Sequence, residues 1–294
     1  MKSKFVIDVA SIPAHMTVEK YIRQNTDIET HIKNLKSSSD SDYISLNIDS
    51  NIEPLKNNIK SLMNKYGIFK FSYAGRKEQF ESYLSTALTH NPYSIDNLSD
   101  NLHQSGLGSS IYTSGNSEDY ENSNALKNTY ADTYSLNQLN PIAKETEISN
   151  LLSSFQRTLI RSRLSMIVAN HKESTAFQYL WHQDESVFLN LRVNIPLASN
   201  SNYVIQILKN DNELAEFSEF SLEVGKAYVY NTQKYHRPYC KNLNEEDRIN
   251  LICGVSPWFD YDREKNVWFS NEYYGEVHPF DMFEQGLISS VIHK

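Results

Sequence analysis

Three side chains in two segments of this sequence have the types and the spacing of a metal site. His182 and Asp184 stand two residues apart in WHQDESVFLNLRVNIPL (181–197), and His236 lies in YVYNTQKYHRPYCKNLNEEDRINLICG (228–254). Residues two apart on an extended backbone point to the same side, so His182 and Asp184 can bind one ion. Two imidazoles and a carboxylate occupy one face of a non-haem iron(II) ion and leave the other face open for reactants. A His-X-Asp pair alone is common by chance, and the second histidine near another strand is what favours this interpretation.

Arg248 offers this site a positive charge. It alternates with aliphatic residues in DRINLIC (247–253), so it points into the barrel if the aliphatic side fills the core. A buried charge is costly unless an anion matches it. The distal carboxylate of 2-oxoglutarate would do so through a bidentate, charge-assisted pair. The alternative is a surface ion pair with Asp247 or Glu246.

Three further residues are candidates for binding a substrate. Arg192 and Asn194 alternate with aliphatic residues in LRVNIPL (191–197), on the strand that follows Asp184. An inward Arg192 could bind the carboxylate of an amino-acid-like substrate, or it could form an ion pair with Asp or Glu inside the barrel. Tyr230 belongs to the strand that precedes His236 and could line the same cavity.

The periodicity of the sequence predicts an α+β fold. Amphipathic patterns indicate helices over residues 17–36, 51–67, 77–90, 141–159 and 279–292. Short alternating segments indicate strands over residues 5–9, 43–49, 68–75, 161–169, 187–197, 203–208, 218–222, 226–231 and 248–254. The many short strands of the second half are typical of a double-stranded β-helix, that is a jelly-roll or cupin-like core. We expect N-terminal helices and a C-terminal helical tail to flank it.

We expect one integrated domain with three regions. Residues 1–140 would form an N-terminal α+β region, 141–262 the jelly-roll core and 263–294 a C-terminal extension. The first region ends in a polar loop, about residues 91–140, that is rich in Ser, Asn, Asp and Tyr. Loops of this length are usually functional or disordered, so a recognition flap over the site and a poorly ordered insertion are both open.

Composition and charge narrow the classes of partner. The formal net charge of -8 and the absence of a Lys/Arg run argue against binding to nucleic acid. No apolar stretch approaches the roughly 20 residues of a membrane helix, and Asp8 interrupts the only apolar run near the N-terminus. We therefore expect a cytoplasmic protein in which Cys240 and Cys253 are reduced thiols that pack in the interior.

The segments that carry these residues resemble the 2-oxoglutarate- and iron-dependent oxygenases of the aspartyl/asparaginyl β-hydroxylase type. That broad family also includes hydroxylases of free amino acids such as proline. The similar parts are RSRLSMI (161–167), the His-X-Asp pair with LRVNIPL, and GKAYVYNTQKYHRPYCKNLNEEDRINLI (225–252). They span roughly residues 161–256. The insertion HKESTAFQYLW (171–181) departs from the shorter spacing usual in the family.

The resemblance implies a role for each matching residue. His182, Asp184 and His236 match the iron ligands, and the presence of Asp184 favours hydroxylation over halogenation. Arg248 matches the arginine that binds the far carboxylate of 2-oxoglutarate, and Ser165 a serine that assists it. Arg192 matches an arginine that faces the site, whereas Asn194 stands where the β-hydroxylases often have a histidine.

The resemblance also implies a reaction. An enzyme of this type uses iron(II), 2-oxoglutarate and dioxygen to hydroxylate a C–H bond, and it converts 2-oxoglutarate to succinate and CO2. The expected substrate is a free amino acid or an amino-acid-like or peptidyl molecule. Two alternatives stay open: a cupin-like metalloenzyme that does not use 2-oxoglutarate, and a non-catalytic jelly-roll binding module. The aromatic C-terminal tail could form the surface of a homodimer.

Overall fold

The computed structural model describes residues 4–13, 16–66, 69–70, 83–90, 133–169, 177–210, 216–242 and 246–294, which form a β-rich fold with few helices. The helices are α1 (Val18–Asn25), α2 (Ile28–Asn34), α3 (Glu53–Tyr66), α4 (Thr146–Leu152) and α5 (Pro279–Glu284), with short 3-10 helices at Val9–Ser11, Thr133–Ser135 and Ile142–Lys144. The strands are β1 (Val6–Asp8), β2 (Tyr43–Ile48), β3 (Phe69–Lys70), β4 (Tyr83–Ala87), β5 (Thr89–His90), β6 (Gln138–Leu139), β7 (Leu159–Ile167), β8 (Phe177–Gln178), β9 (Leu191–Ala198), β10 (Tyr203–Leu208), β11 (Phe217–Ser221), β12 (Lys226–Tyr230), β13 (His236–Cys240), β14 (Arg248–Val255), β15 (Phe259–Asp262), β16 (Val267–Ser270) and β17 (Ile292–His293).

Two antiparallel sheets organise the molecule. The larger has eight strands in the order β17-β2-β12-β9-β14-β7-β4-β3, and the smaller has four in the order β11-β10-β13-β8. Strands β2, β3 and β4 come from the N-terminal region, so that region and the region after residue 141 share one sheet. Short sheets of β1, β16 and β15 and of β5 and β6 complete the strand pairing.

The two faces of the large sheet differ in chemistry because its strands alternate. Leu191, Val193 and Ile195 of β9 lie on one face and are fully buried against a core that includes Ile22 of α1 and Ile59 of α3. The opposite face carries buried polar side chains from three adjacent strands: Arg192, Asn194, Arg248, Asn250, Arg163 and Ser165. Apolar burial stabilises the sheet by about 1.5–3 kcal/mol per large aliphatic side chain. The polar face therefore carries the side chains of the sheet that can bind ligands or ions.

The small sheet packs on this polar side through an aromatic cluster. Phe220 of β11 stacks on Tyr43 of β2 with ring centroids 3.9 Å apart. Its ring also meets Tyr230 of β12 edge-on at 6.0 Å. Ile205 and Ile207 of β10 join the same cluster. These contacts hold the two sheets together beside the predicted metal ligands.

The predicted helix over residues 77–90 is wrong in its described part. Residues Tyr83–Ala87 form β4, which pairs with β7 so that Ser85 lies opposite Ser165, and Thr89–His90 form β5. Ser85 and Thr86 are each at most 1 % exposed. Pairing with a buried neighbouring strand has outweighed the local helical pattern, as tertiary context commonly does. Residues 77–82 lie outside the described part of the chain.

Three other predicted helices form at the expected positions but are shorter than the sequence pattern indicates. The helix predicted over residues 17–36 begins as expected with Thr17, whose Oγ1 accepts a hydrogen bond from the Lys20 amide at 3.1 Å. It breaks into α1 and α2 at Thr26, because the extended backbone of this residue (φ -131°, ψ 171°) ends α1; its hydroxyl donates to the Ile22 carbonyl at 2.8 Å. The helices predicted over 141–159 and 279–292 shorten to α4 and α5; of the residues that follow each helix in these ranges, only Leu159 and Ile292 belong to strands, β7 and β17.

Two further observations concern the residues that the structure describes. Cys240 and Cys253 are both buried and form no disulfide. Among the described helices, each is too short or too polar to cross a membrane.

Candidate metal centre

Backbone pairing brings the three predicted ligands together. His182 and His236 form an antiparallel bridge, with N–O distances of 3.1 Å from the His182 amide and 3.0 Å from the His236 amide. The Asp184 amide donates to the Thr232 carbonyl at 2.8 Å. The segment before β9 is thus fixed to the segment that enters β13, and one imidazole from each side meets the carboxylate.

The imidazoles are oriented by their own backbone. Nδ1 of His182 lies 2.8 Å from the Leu180 carbonyl, and Nδ1 of His236 lies 3.0 Å from the Lys234 carbonyl. A carbonyl oxygen only accepts, so each Nδ1 carries the proton and donates it. Each Nε2 then keeps a free lone pair, which is the tautomer that a metal-binding histidine needs.

The distances fit one metal ion. Asp184 Oδ2 lies 3.7 Å from His182 Nε2 and 3.4 Å from His236 Nε2. Adjacent ligands of an octahedral ion with bonds of about 2.1 Å stand about 3 Å apart, so small adjustments suffice. The ligand atoms of all three residues lie within 4.8 Å of one another. Two neutral imidazoles and one carboxylate suit iron(II).

The electrostatics keep the site in its ligating form. Burial, together with the neighbouring His236, lowers the pKa of His182 to about 4, so the imidazole is neutral near pH 7. Burial raises the pKa of Asp184, but Arg192 and the two histidines outweigh it and hold that pKa well below its usual value. His236 is 1 % exposed and His182 30 %, so the site opens on the His182 side.

Arg192 binds the ligand carboxylate. Its Nη1 donates to Asp184 Oδ2, and its Nη2 donates to Glu185 Oε2 at 2.5 Å. The sequence left two interpretations of Arg192 open, and this geometry agrees with the ion pair to nearby acidic residues. Arg192 is therefore placed to orient Asp184.

Glu185 is the residue of this network that sequence reasoning missed. Besides Arg192, its carboxylate accepts from Arg161 and, at 2.8 Å, from the Thr133 hydroxyl. Arg161 has a left-handed backbone with φ of 44°, uncommon for a side chain of this type. The signal available in the sequence was charge: an inward Arg192 next to two consecutive acids, Asp184 and Glu185, predicts that both acids are neutralised locally.

The remaining predicted residues lie on the polar face of the large sheet. Arg248 is 5 % exposed and stands at the start of β14. Ser165 is opposite Asn250 on β7 and donates to its carbonyl at 3.4 Å. Asn194 accepts a hydrogen bond from the Asn250 amide group at 2.9 Å. The alternative of a surface ion pair for Arg248 does not agree with this burial.

Tyr230 lies beside one of the metal ligands. Its ring meets His236 edge-on at 5.1 Å. Burial and the charge of Asp184 raise the pKa of Tyr230 to about 12, although three nearby arginines oppose the rise: Arg192, Arg248 and Arg163. The pKa of this phenol therefore depends on four charged side chains of the same polar interior.

Comparison with known proteins finds distant likenesses among solved structures. No family model and no curated protein matches the sequence. The fold resembles the epimerase SnoN in complex with Fe3+, alpha-ketoglutarate and nogalamycin RO, with a TM-score of 0.40, 8 % identity and coverage of 79 % of this chain and 84 % of that chain. It also resembles an oxidoreductase of the 2OG-Fe(II) oxygenase family from Burkholderia pseudomallei, with a TM-score of 0.38, 9 % identity and coverage of 78 % and 90 %. A third is a prolyl-4-hydroxylase from Pseudomonas putida, with a TM-score of 0.34, 8 % identity and coverage of 84 % and 100 %.

Proposed function

We propose that this chain is an iron(II)- and 2-oxoglutarate-dependent oxygenase. The observation that carries the proposal is the cluster of His182, Asp184 and His236, in which both imidazoles present Nε2 lone pairs to one carboxylate. Such a set binds iron(II) on one face and leaves positions open for a chelating keto acid and dioxygen. The two-sheet fold would be a double-stranded β-helix, and the quoted segments favour the aspartyl/asparaginyl β-hydroxylase type.

Arg248 and Ser165 would bind 2-oxoglutarate. Arg248 is 5 % exposed and stands at the start of β14, on the polar face of the large sheet. The distal carboxylate of 2-oxoglutarate is a planar dioxygen group that matches the guanidinium fork. Ser165 is 3 % exposed on the adjacent strand and could donate its hydroxyl to the same ligand.

Bound iron(II) would supply the activation of dioxygen that couples decarboxylation of 2-oxoglutarate, to succinate and CO2, with oxidation of a substrate C–H bond. The protein's residues prepare this chemistry. Arg192 holds the Asp184 carboxylate in its ionised form, and the Leu180 and Lys234 carbonyls fix the imidazole tautomers. Tyr230 and the aromatic cluster behind it exclude water from one side of the site. We propose hydroxylation of a free amino acid or a related peptidyl substrate.

Iron(II) and 2-oxoglutarate added without oxygen test this proposal. The wild type should develop a weak visible absorption band, because the keto acid chelates the bound iron. His236→Ala should abolish the band, since it removes a buried ligand. His293→Ala is the matched control, because this histidine is exposed on the edge strand β17.

Admission of oxygen should then convert 2-oxoglutarate to succinate in the wild type and in His293→Ala. Absence of the band in the wild type would refute the proposal. Iron binding with no band would favour a metalloenzyme that does not use 2-oxoglutarate. No iron binding would favour the non-catalytic module.

A further inference from the structure

Arg163 is a buried cation that the described part of the protein does not neutralise. It lies on β7 with 4 % of its surface exposed. Its Nε and Nη1 are buried and contact no hydrogen-bond partner among the described residues. Unpaired buried guanidinium nitrogens are costly, and proteins retain them mainly where a ligand or ion completes the contact.

The other arginines near the same strand behave differently. Arg161 and Arg192 share the carboxylates of Asp184 and Glu185. Arg157, just before β7, pairs with Asp260 at 2.7 Å. In contrast, the described residues provide no carboxylate within ion-pair distance of Arg163.

The position of Arg163 places it in the interior that contains the metal ligands. On the large sheet it lies opposite Ile252 of β14, and Ile252 lies opposite Asn194 of β9. Strands stand about 4.8 Å apart, so the Cα atoms of Arg163 and Asn194 are about 10 Å apart on one face. The charges of Arg163 and Asp184 both act on the pKa of Tyr230, in opposite directions.

Two neighbours of Arg163 also carry unsatisfied polar atoms. Ser85 lies on β4, two residues before Ala87, which is paired with Arg163. The buried Oγ of Ser85 has no hydrogen-bond partner among the described residues. On the other side, Asn250 Oδ1 is buried and likewise lacks a described partner. Side chains at such diagonal positions are within reach of one ligand. The set offers donors from Arg163 and Ser85, and an acceptor from Asn250.

We infer that Arg163 binds a carboxylate of the substrate, with the Ser85 hydroxyl as a second donor and Asn250 as an acceptor for a polar hydrogen beside it. The substrate class is thus an organic acid, such as a free amino acid, whose carboxylate lies against β7 while its reacting carbon lies at the metal. This inference rests on the proposed function and deepens it. It replaces Arg192 as the substrate-binding arginine, because Arg192 is already paired with two acids.

The Arg163 position is separate from that of Arg248. Arg163 lies opposite Ile252 and Arg248 lies opposite Ile167, so the two arginines stand on neighbouring strands with an offset of four residues. At about 3.3 Å per residue and 4.8 Å between strands, their Cα atoms are about 14 Å apart. Two anions can therefore bind in the same interior without sharing a guanidinium.

Acetate is a suitable probe because it presents only the carboxylate. Thermal unfolding is measured with zinc(II) as a redox-inert metal and saturating 2-oxoglutarate, in sodium acetate or in sodium chloride of equal ionic strength. Acetate should raise the wild-type midpoint, because it supplies an anion that the described residues do not offer Arg163. Arg163→Met should lose this rise, while Arg157→Met, the matched control, should keep it.

Stability without ligands gives a second measurement. Arg163→Met keeps the aliphatic stem and removes the unpaired charge, so its unfolding midpoint in chelator should equal or exceed that of the wild type. Arg157→Met should lower the midpoint, because it leaves Asp260 buried without its cation. If Arg163→Met lowers the midpoint as much as Arg157→Met, Arg163 is a structural residue and the inference fails.

Co-substrate affinity separates the two arginines. The dissociation constant for 2-oxoglutarate, read from the anaerobic iron(II) band, should change less than about twofold in Arg163→Met and rise at least about tenfold in Arg248→Met. Loss of 2-oxoglutarate binding in Arg163→Met, or acetate protection equal to the wild type in that variant, overturns the inference. So does the absence of acetate protection in the wild type. Failure of the proposed function is distinct, since it is the absence of the band in the wild type itself.

Discussion

The pairing of Asp184 with Arg192 gives a quantitative prediction for the metal-free protein. Two opposite charges about 3 Å apart attract by about 5 kcal/mol at an effective dielectric constant of 20. Arg192 also has a second contact, with Glu185, which in turn pairs with Arg161. Asp184→Asn and Arg192→Met should therefore each lower the free energy of unfolding by about 3 kcal/mol, near the lower end of the cost of breaking a buried pair.

The double variant should cost less than the two single variants together. Once both charges are gone, neither is buried without a partner, so Asp184→Asn with Arg192→Met should lower the free energy of unfolding by about 4 kcal/mol. The implied coupling is about 2 kcal/mol, within the range measured for contacting charged residues. The assay is urea unfolding at pH 7 in chelator, with the free energies compared at equal slope.

A matched cycle tests the method on a pair away from the site. Arg157 and Asp260 form an ion pair of 2.7 Å and should show coupling of the same sign without any effect on metal binding. If the Asp184–Arg192 double variant equals the sum of its single variants within about 0.5 kcal/mol, the two side chains do not interact in solution. The assignment of Arg192 as the residue that orients the ligand carboxylate would then be wrong.

Two further predictions concern the scaffold. Gly254→Ala should lower the free energy of unfolding by about 3 kcal/mol, because a Cβ there would overlap the Ile160 carbonyl. Thermal unfolding measures this change. The exposed control Ser153→Ala should change the free energy of unfolding by less than about 0.5 kcal/mol. Burial and the charge of Lys144 lower the pKa of His90 from 6.5 to about 4. The unfolded chain therefore binds the proton first, so stability should fall as the pH drops from about 6.5 towards about 4, and His90→Gln should reduce that fall in urea unfolding measured across the window. An unchanged acid sensitivity in His90→Gln would contradict the assignment.

The sequence by itself determined the local parts of this protein. Alternation of aliphatic and polar residues fixed β9 and β14, because a strand sends alternate side chains to opposite faces. The same rule placed Arg192 and Arg248 on the polar face. His182 and Asp184 could be paired from spacing alone, because that pairing depends on neighbouring residues only.

The tertiary structure decided what those side chains meet. Residues Tyr83–Ala87 became a strand because β7 was available to pair with them, which no local pattern records. The partner of Arg192 depended on where Glu185 lies after the chain turns into β9. That Arg163 meets no carboxylate among the described residues is a property of the assembled interior, since a sequence cannot show which charges come together. Spacing and alternation act within a few residues, whereas charge balance in a buried cavity depends on strands distant in the sequence.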